Sequence, residues 1–322
     1  MPSEFELIDR YFRRPALRED VLLGIGDDAA LVQPPAGSEL ALSVDTLLEG
    51  VHFPAATGPV AIGHKALAVN LSDLGAMGAD PAWATLALSL PQPDEAWLEG
   101  FCTGWFALAQ SHRVELIGGD TTRGPLGITV QVVGTVPQGQ ALRRSGARPG
   151  DRIYVTGTLG DAAVALEALS GRLPLGEPGE RACRRRLEFP EPRIGAGVAL
   201  RGLGTAAIDI SDGLLADLGH LLQASGVGAR VELEDLPLSA TVAGLVRDGR
   251  IDPALPLQGG DDYELLFTVP EQAEAELRRR WRTQRCRLSR IGRIESQTGL
   301  RLYRHGIPQA VPPRGGYEHF RD

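Results

Sequence analysis

The chain has 322 residues, 33 of them basic and 41 acidic for a net charge of −8, with 43% apolar and 23% charged side chains. That balance is ordinary for a globular protein and excludes a collagen-like, coiled-coil or disordered chain. It also argues against nucleic acid or an anionic membrane as the main partner. At about 150 residues per domain the length predicts two domains, and no run approaches the roughly 18 apolar residues that would span a membrane. The three cysteines, Cys102, Cys183 and Cys286, are odd in number and far apart, with no Cys-x-x-Cys, so a disulfide framework or a thiolate zinc site is not expected. Met1-Pro-Ser-Glu-Phe-Glu6 is acidic where a secretory leader would be basic and then apolar. The expectation is a cytoplasmic protein.

In chain order, β-branched or alternating runs predict strands over 40–44, 84–90, 114–117, 128–136, 153–156, 206–210, 229–233 and 263–269. Helices are predicted between them. Residues 59–77 are rich in Ala and Leu, and 95–111 carry Trp97, Leu98, Phe101, Trp105 and Leu108 at helical spacing. Residues 213–224 set Leu214, Leu215, Leu218, Leu221 and Leu222 on one face. Further helices are expected over 161–169, 192–202, 239–248 and 270–281. The stretch 114–136 reads as two neighbouring antiparallel strands, which favours α+β over a doubly wound parallel sheet. The polar, turn-rich stretch 137–151 is the expected domain boundary, giving domains 1–140 and 148–322. Residues 171–180, rich in Gly and Pro, read as a loop.

Chemistry is concentrated where aspartate meets glycine. Asp27 lies in Gly24-Ile-Gly-Asp-Asp-Ala29, Asp45 in Leu42-Ser-Val-Asp-Thr46 and Asp73 in Asn70-Leu-Ser-Asp-Leu-Gly75. Asp120 follows in Leu116-Ile-Gly-Gly-Asp-Thr-Thr122, Asp209 and Asp212 in Ile208-Asp-Ile-Ser-Asp-Gly213, and Asp261 in Gly259-Gly-Asp-Asp-Tyr-Glu264. Most stand directly after an apolar run, hence at strand ends. Clustered carboxylates raise one another's pKa unless a cation compensates. An all-oxygen donor set suits magnesium, calcium or manganese. Glycine beside each aspartate lets backbone N–H groups approach a phosphate. Together these features point to nucleotide phosphates held through divalent metal. Taken singly, each aspartate is also a common turn residue, and Ser211 or Asp212 is a natural cap for the helix over 213–224.

Other residues narrow the reading. The only lysine, Lys65, is not in a Gly-Lys-Ser/Thr setting, so there is no P-loop, and the kinase His-Arg-Asp loop is absent. Arginines such as Arg143 or Arg144 must then supply positive charge to a nucleotide. His52, just beyond the Asp45 strand, is a candidate phosphate contact. Tyr317, after two glycines, is a candidate for folding back over a pocket. No Gly-x-Ser-x-Gly elbow is present, nor an Asp-x-Asp-x-Asp-Gly calcium loop.

These stretches, together with Arg144-Ser-Gly-Ala147 and Asp151-Arg-Ile-Tyr-Val-Thr-Gly157, closely resemble the thiamine-monophosphate kinase family, within the ATP-binding superfamily of aminoimidazole ribonucleotide synthetase. The resemblance runs through nearly the whole chain in order. It implies an N-terminal α/β domain whose strands form a barrel spanning a homodimer, and a C-terminal α/β domain. It implies magnesium-assisted, in-line transfer of the γ-phosphoryl group of ATP to thiamine monophosphate, giving thiamine diphosphate in the last step of its biosynthesis. It further implies Asp27, Asp45, Asp73, Asp120, Asp209 and Asp212 as ligands to several magnesium ions, aided by Ser43 and by Val44, which has only its carbonyl to offer. Asp45, Asp73 and Asp120 would be the catalytic set. Gly119, Asp120, Arg144 and Ser211 would contact ATP, and His52, Asp261 and Tyr317 the substrate.

Overall fold

The computed structural model describes residues 3–312 and 316. The chain divides into two compact units, Met1–Leu74 with Ala79–Gly139, and Gly75–Gly78 with Gln140–Asp322. Both mix helix and sheet.

The first unit starts with helix α1 (Glu4–Leu7), where the Ser3 hydroxyl accepts the Glu6 N–H and the Glu6 carboxylate accepts the Ser3 N–H. A π-turn over Ile8–Phe12 follows and buries Tyr11 and Phe12. Strands β1 (Val21–Leu23) and β2 (Leu31–Val32) pair antiparallel. The main sheet has four strands, β3 (Ser38–Leu48), β4 (Asp80–Leu90), β5 (Glu115–Arg123) and β6 (Gly127–Pro137), in the spatial order β3-β6-β4-β5. Helices α2 (Pro59–Ala76) and α3 (Glu95–His112) supply core side chains including Leu67, Leu71, Phe101 and Trp105. Asp45 stands opposite Val130, which stands opposite Leu86, so these three share a face. Val130 and Leu86 are buried. The alternate residues of β3 face the other way, and Leu40, Leu42, Val44 and Leu48 are 43–59% exposed there.

The expected pairing of neighbours within 114–136 is corrected here: β5 and β6 are separated by β4, which runs parallel to β5 and antiparallel to β6. The connection after β5 crosses the end of β4, where the Gly124 N–H donates to the Leu90 carbonyl at 2.9 Å. β4 and β5 approach so closely at Gly119, whose φ is +147°, that a Cβ there would lie 1.8 Å from the Leu86 carbonyl oxygen. Only glycine fits. No sheet among the described residues closes into a barrel within this chain.

The second unit holds a seven-stranded sheet in the order β13-β12-β9-β11-β7-β10-β8. Its strands are β7 (Arg152–Thr156), β8 (Ala206–Ile210), β9 (Gly228–Glu232), β10 (Glu264–Val269), β11 (Leu288–Glu295), β12 (Gly299–Arg304) and β13 (Ile307–Gln309). Alternation sends Ile153, Val155, Ile208, Ile210 and Leu266 to one core, shared with Leu214, Leu218 and Leu221. Tyr154, Ala207, Leu265 and Phe267 go to another, shared with Leu200, Leu277 and Trp281. The helices are α4 (Asp161–Leu169), α5 (Glu177–Glu188), α6 (Ile194–Leu200), α7 (Leu214–Ser225), α8 (Ala240–Arg247), α9 (Leu255–Gln258) and α10 (Glu274–Trp281). Helix α7 thus covers one face, and α6 and α10 the other. The loop expected over 171–180 instead runs into α5, because Pro178 occupies the first helical turn, where proline starts a helix rather than breaking it. No helix of the described residues is long and apolar enough to cross a membrane.

Candidate active site

In the first unit, strand and helix periodicities bring two short rows together. Ser43 and Asp45 are two apart on β3 and share a face; Asn70 and Asp73 are three apart on α2 and share a face. The rows are joined by hydrogen bonds. The Ser43 hydroxyl donates to Asp73 Oδ2 at 2.5 Å, and the Asp45 N–H donates to Asn70 Oδ1 at 3.0 Å. Asn70 is fully buried and anchors itself by donating to the Ala66 carbonyl. Ser43, Asp45 and Asp73 are half-buried, whereas Val44 points to the opposite, exposed face.

A second group of the predicted residues lines a cavity of about 650 Å³. Asp27, Gly119 and Asp120 line it together with the apolar side chains of Phe5, Ile8 and Phe12. Asp27 Oδ1 accepts the Asp28 N–H at 2.8 Å, which fixes the carboxylate in its glycine-rich loop. Asp27 and Asp120 are exposed. His52 is half-buried, and its Nδ1 accepts the Leu48 N–H at 3.0 Å. Lys65, only 3% exposed, donates to the His52 carbonyl at 3.2 Å. The lone lysine therefore shapes the loop that carries His52.

In the second unit, Asp209 lies on β8 and is 4% exposed, and Ser211 and Asp212 are half-buried in the loop before α7. Neither Ser211 nor Asp212 caps that helix. The cap position is Gly213, without a side-chain bond. Instead one oxygen of Asp217, a full turn into the helix, accepts the backbone N–H groups of Ser211, Asp212 and Gly213, each at 3.1 Å. Burial, with the charge of Asp212 adding, pushes the Asp217 carboxyl up to about 7 against the pull of these bonds. The Ser211 carbonyl accepts the Asp261 N–H at 2.8 Å, and the Tyr263 hydroxyl donates to Asp261 Oδ1 at 2.8 Å. Asp261 has a φ of +66°. Beside it a Cβ on Gly260 would lie 2.3 Å from the Ser211 carbonyl oxygen. The segments 208–213 and 259–264 are thus laced into one loop pair. The Arg144 side chain is exposed, while its carbonyl accepts the Ser225 hydroxyl at 3.1 Å. Tyr317 lies outside the described residues.

Two neighbouring acids in this segment serve the fold. Glu264 has no exposed surface, pairs with both Arg186 and Arg193, and accepts the Thr156 hydroxyl at 2.5 Å. Asp262 is buried and accepts the Gly160 N–H through both oxygens at 2.9 and 3.1 Å; burial drives its carboxyl well above the usual range. Cys102 is likewise a core residue, 3% exposed. Asn70 and Asp217 are the polar groups that sequence reasoning did not assign a role. A buried asparagine mid-helix is the available signal for the first, since asparagine is a poor interior helix former.

Among the described residues no three His, Cys, Asp or Glu side chains converge to hold a metal ion by themselves. The carboxylates are arranged with hydroxyl, amide and glycine neighbours instead. Magnesium takes one or two carboxylates and completes its octahedron with water and substrate phosphate, and this donor set fits that pattern.

Residues 26–136 match the family of AIR synthase related proteins, N-terminal domain, and residues 148–305 its C-terminal domain. Those two matches define the class to which the fold and site belong. A thiamine-monophosphate kinase from Salmonella typhimurium is 50% identical, over 99% of this chain and 98% of the relative. The crystal structure of thiamine-monophosphate kinase from Stenotrophomonas maltophilia is 49% identical with a TM-score of 0.84, covering 91% of this chain and 93% of that one. A structure described as AaThiL complexed with AMPPCP and TMP is 37% identical with a TM-score of 0.77, covering 91% of each chain. The chain belongs to the thiamine-monophosphate kinase family of AIR synthase related proteins.

Proposed function

We propose that this chain transfers the γ-phosphoryl group of ATP to thiamine monophosphate, forming thiamine diphosphate and ADP. The observation that carries the reading is the cavity of the first unit, where Asp27, Gly119 and Asp120 meet an apolar wall of Phe5, Ile8 and Phe12. The apolar wall suits a flat base and the carboxylate–glycine side suits metal-bound phosphates. The related structure of AaThiL, complexed with AMPPCP and TMP, supports the same substrate pair.

The acceptor is a phosphate oxygen, anionic at neutral pH, so no general base is required. What remains is positioning for in-line attack and removal of the repulsion between two anions. Bound magnesium would supply positive charge to offset the negative charge of the phosphates. Asp27, Asp45, Asp73, Asp120, Asp209 and Asp212 are its proposed carboxylate ligands, with the Ser43 hydroxyl and the Val44 carbonyl. The bond from Ser43 holds Asp73 in place, and the Asn70 amide holds the backbone of Asp45. Gly119 brings backbone close to the nucleotide, and Arg144 and Ser211 contact ATP. His52, Asp261 and Tyr317 meet the substrate.

Purified protein with ATP, magnesium and thiamine monophosphate is expected to yield thiamine diphosphate by chromatography, none from free thiamine, and none after chelation of the metal. Bound ATP without diphosphate product would move the acceptor to another phosphorylated substrate.

The reading extends to a homodimer. Residues 1–140 form the ATP, magnesium and dimerisation domain and 148–322 the C-terminal domain. Leu40, Leu42, Val44 and Leu48 make an apolar stripe on the bare face of the first sheet, the kind of surface that a second copy covers to complete a barrel across the dimer. Leu40→Glu with Leu42→Glu is expected to convert a dimer to a monomer in analytical ultracentrifugation. An unchanged sedimentation coefficient would remove that stripe from the interface. The three cysteines, all without a disulfide, support a reducing cytoplasmic location.

A further inference from the structure

The N-terminus of a helix of twelve residues ordinarily offers free N–H groups and the positive end of a dipole, a place suited to an anion. In the loop that enters α7, three backbone N–H groups are already taken. Asp217 Oδ2 accepts the N–H groups of Ser211, Asp212 and Gly213 from inside the unit, and Asp217 is only 3% exposed. The loop is fixed from its other side as well. The carbonyls of Ile210 and Ser211 accept the N–H groups of Tyr263 and Asp261, each at 2.8 Å. Gly213, at a φ of +115°, leaves no room for a side chain, because a Cβ would lie 2.7 Å from the Gln258 carbonyl oxygen. With its N–H groups consumed, the loop has no backbone donors for a phosphate. What it retains are the half-buried side chains of Ser211 and Asp212.

We propose that Asp217 is a positioning residue that holds the N–H groups of Ser211, Asp212 and Gly213 on an internal carboxylate, so that loop 211–213 presents the Asp212 carboxylate to a cation rather than backbone N–H groups to a phosphate. The inference rests on the reading of Asp212 as a magnesium ligand. It assigns to Asp217 a task separate from metal ligation: it sets the backbone from which Asp212 projects. Outer partners of this kind change metal affinity or turnover by roughly 10–100-fold when removed.

The test compares the full-length parent with Asp217→Asn, which keeps an oxygen acceptor, and Asp217→Ala, which does not. Amide hydrogen exchange on the metal-free protein reads the loop directly: slow exchange at 211–213 in the parent and Asp217→Asn, fast in Asp217→Ala. Mn²⁺ alone, followed by electron paramagnetic resonance, serves as the metal probe. Its affinity is expected to fall roughly 10–100-fold in Asp217→Ala and little in Asp217→Asn. The magnesium concentration for half-maximal turnover is expected to rise in parallel while the KM for thiamine monophosphate stays within about twofold, since the change acts through metal. Should Asp217→Ala fail to fold, the near-isosteric Asp217→Leu replaces it with the same expectations. Fast exchange with unchanged Mn²⁺ affinity would overturn the proposal, as would an Asp217→Asn variant as impaired as the alanine. A parent without kinase activity whose Mn²⁺ affinity still depends on Asp217 would overturn the proposed reaction and leave this role standing.

Discussion

Asp45→Asn, Asp73→Asn and Asp120→Asn are each expected to lower kcat by roughly 10²–10³-fold, the cost of removing one preorganised electrostatic partner of a transition state, while the fold stays intact. The structure gives a reason for each half of that expectation. Asp45 is tied to α2 by its backbone N–H, a bond that a change of side chain leaves in place. Asparagine at position 73 still has an oxygen to accept the Ser43 hydroxyl bond. Asp120 is exposed, and surface substitutions of that sort shift stability by no more than about 0.5 kcal/mol. What all three substitutions remove is the charge. Steady-state turnover beside thermal melting separates the two effects. Near-parent kcat in all three variants would remove these residues from the reaction.

Glu264→Ala is expected to cost stability rather than chemistry, by about 3–5 kcal/mol, the usual effect of breaking a buried ion pair from one side. Glu264 is wholly buried, and its partners Arg186 and Arg193 have side chains 23% and 12% exposed. Burial opposes the charge of Arg193, and the bonds to Glu264 outweigh it and hold its pKa up. Without the carboxylate, two poorly solvated guanidinium groups lose their buried partner, although Arg193 keeps Glu191 at 3.3 Å, and the Thr156 hydroxyl loses its acceptor. Chemical denaturation should show the loss, and Glu264→Gln, which keeps volume and an acceptor, should recover part of it. A parent-like midpoint for Glu264→Ala would mean that the arginines find other partners.

How far the sequence discloses these arrangements depends on the range of the interactions involved. Helix α7 is legible because its leucines repeat at helical spacing, and β7, β8 and β10 because their apolar runs are short and continuous. The order of strands in the first sheet is not legible. Local pattern marks β5 and β6 as strands, but the insertion of β4 between them depends on contact at Gly119 and on the path of Gly124, both tertiary matters. Strands β11 and β12 escape notice because Arg290, Arg293 and Arg301 interrupt their apolar pattern. In the fold, Arg293 and Arg301 are offset by Glu295 at 3.3 and 2.8 Å. Within the candidate site, aspartate beside glycine is a strong sequence signal. The supports are not: Asp217 is hidden inside an amphipathic helix, and Glu264 looks like part of a catalytic motif although it braces the sheet.

The buried lysine has a practical consequence. All other side-chain cations of this protein are guanidinium groups or imidazoles, so an acylating reagent that targets side-chain amines has a single address, Lys65, sheltered at 3% exposure and bonded to the His52 carbonyl. Acylation there requires the bond to the His52 carbonyl to open. The rate of Lys65 labelling therefore becomes a clock for the opening of the His52 loop, readable by mass spectrometry with no engineered probe.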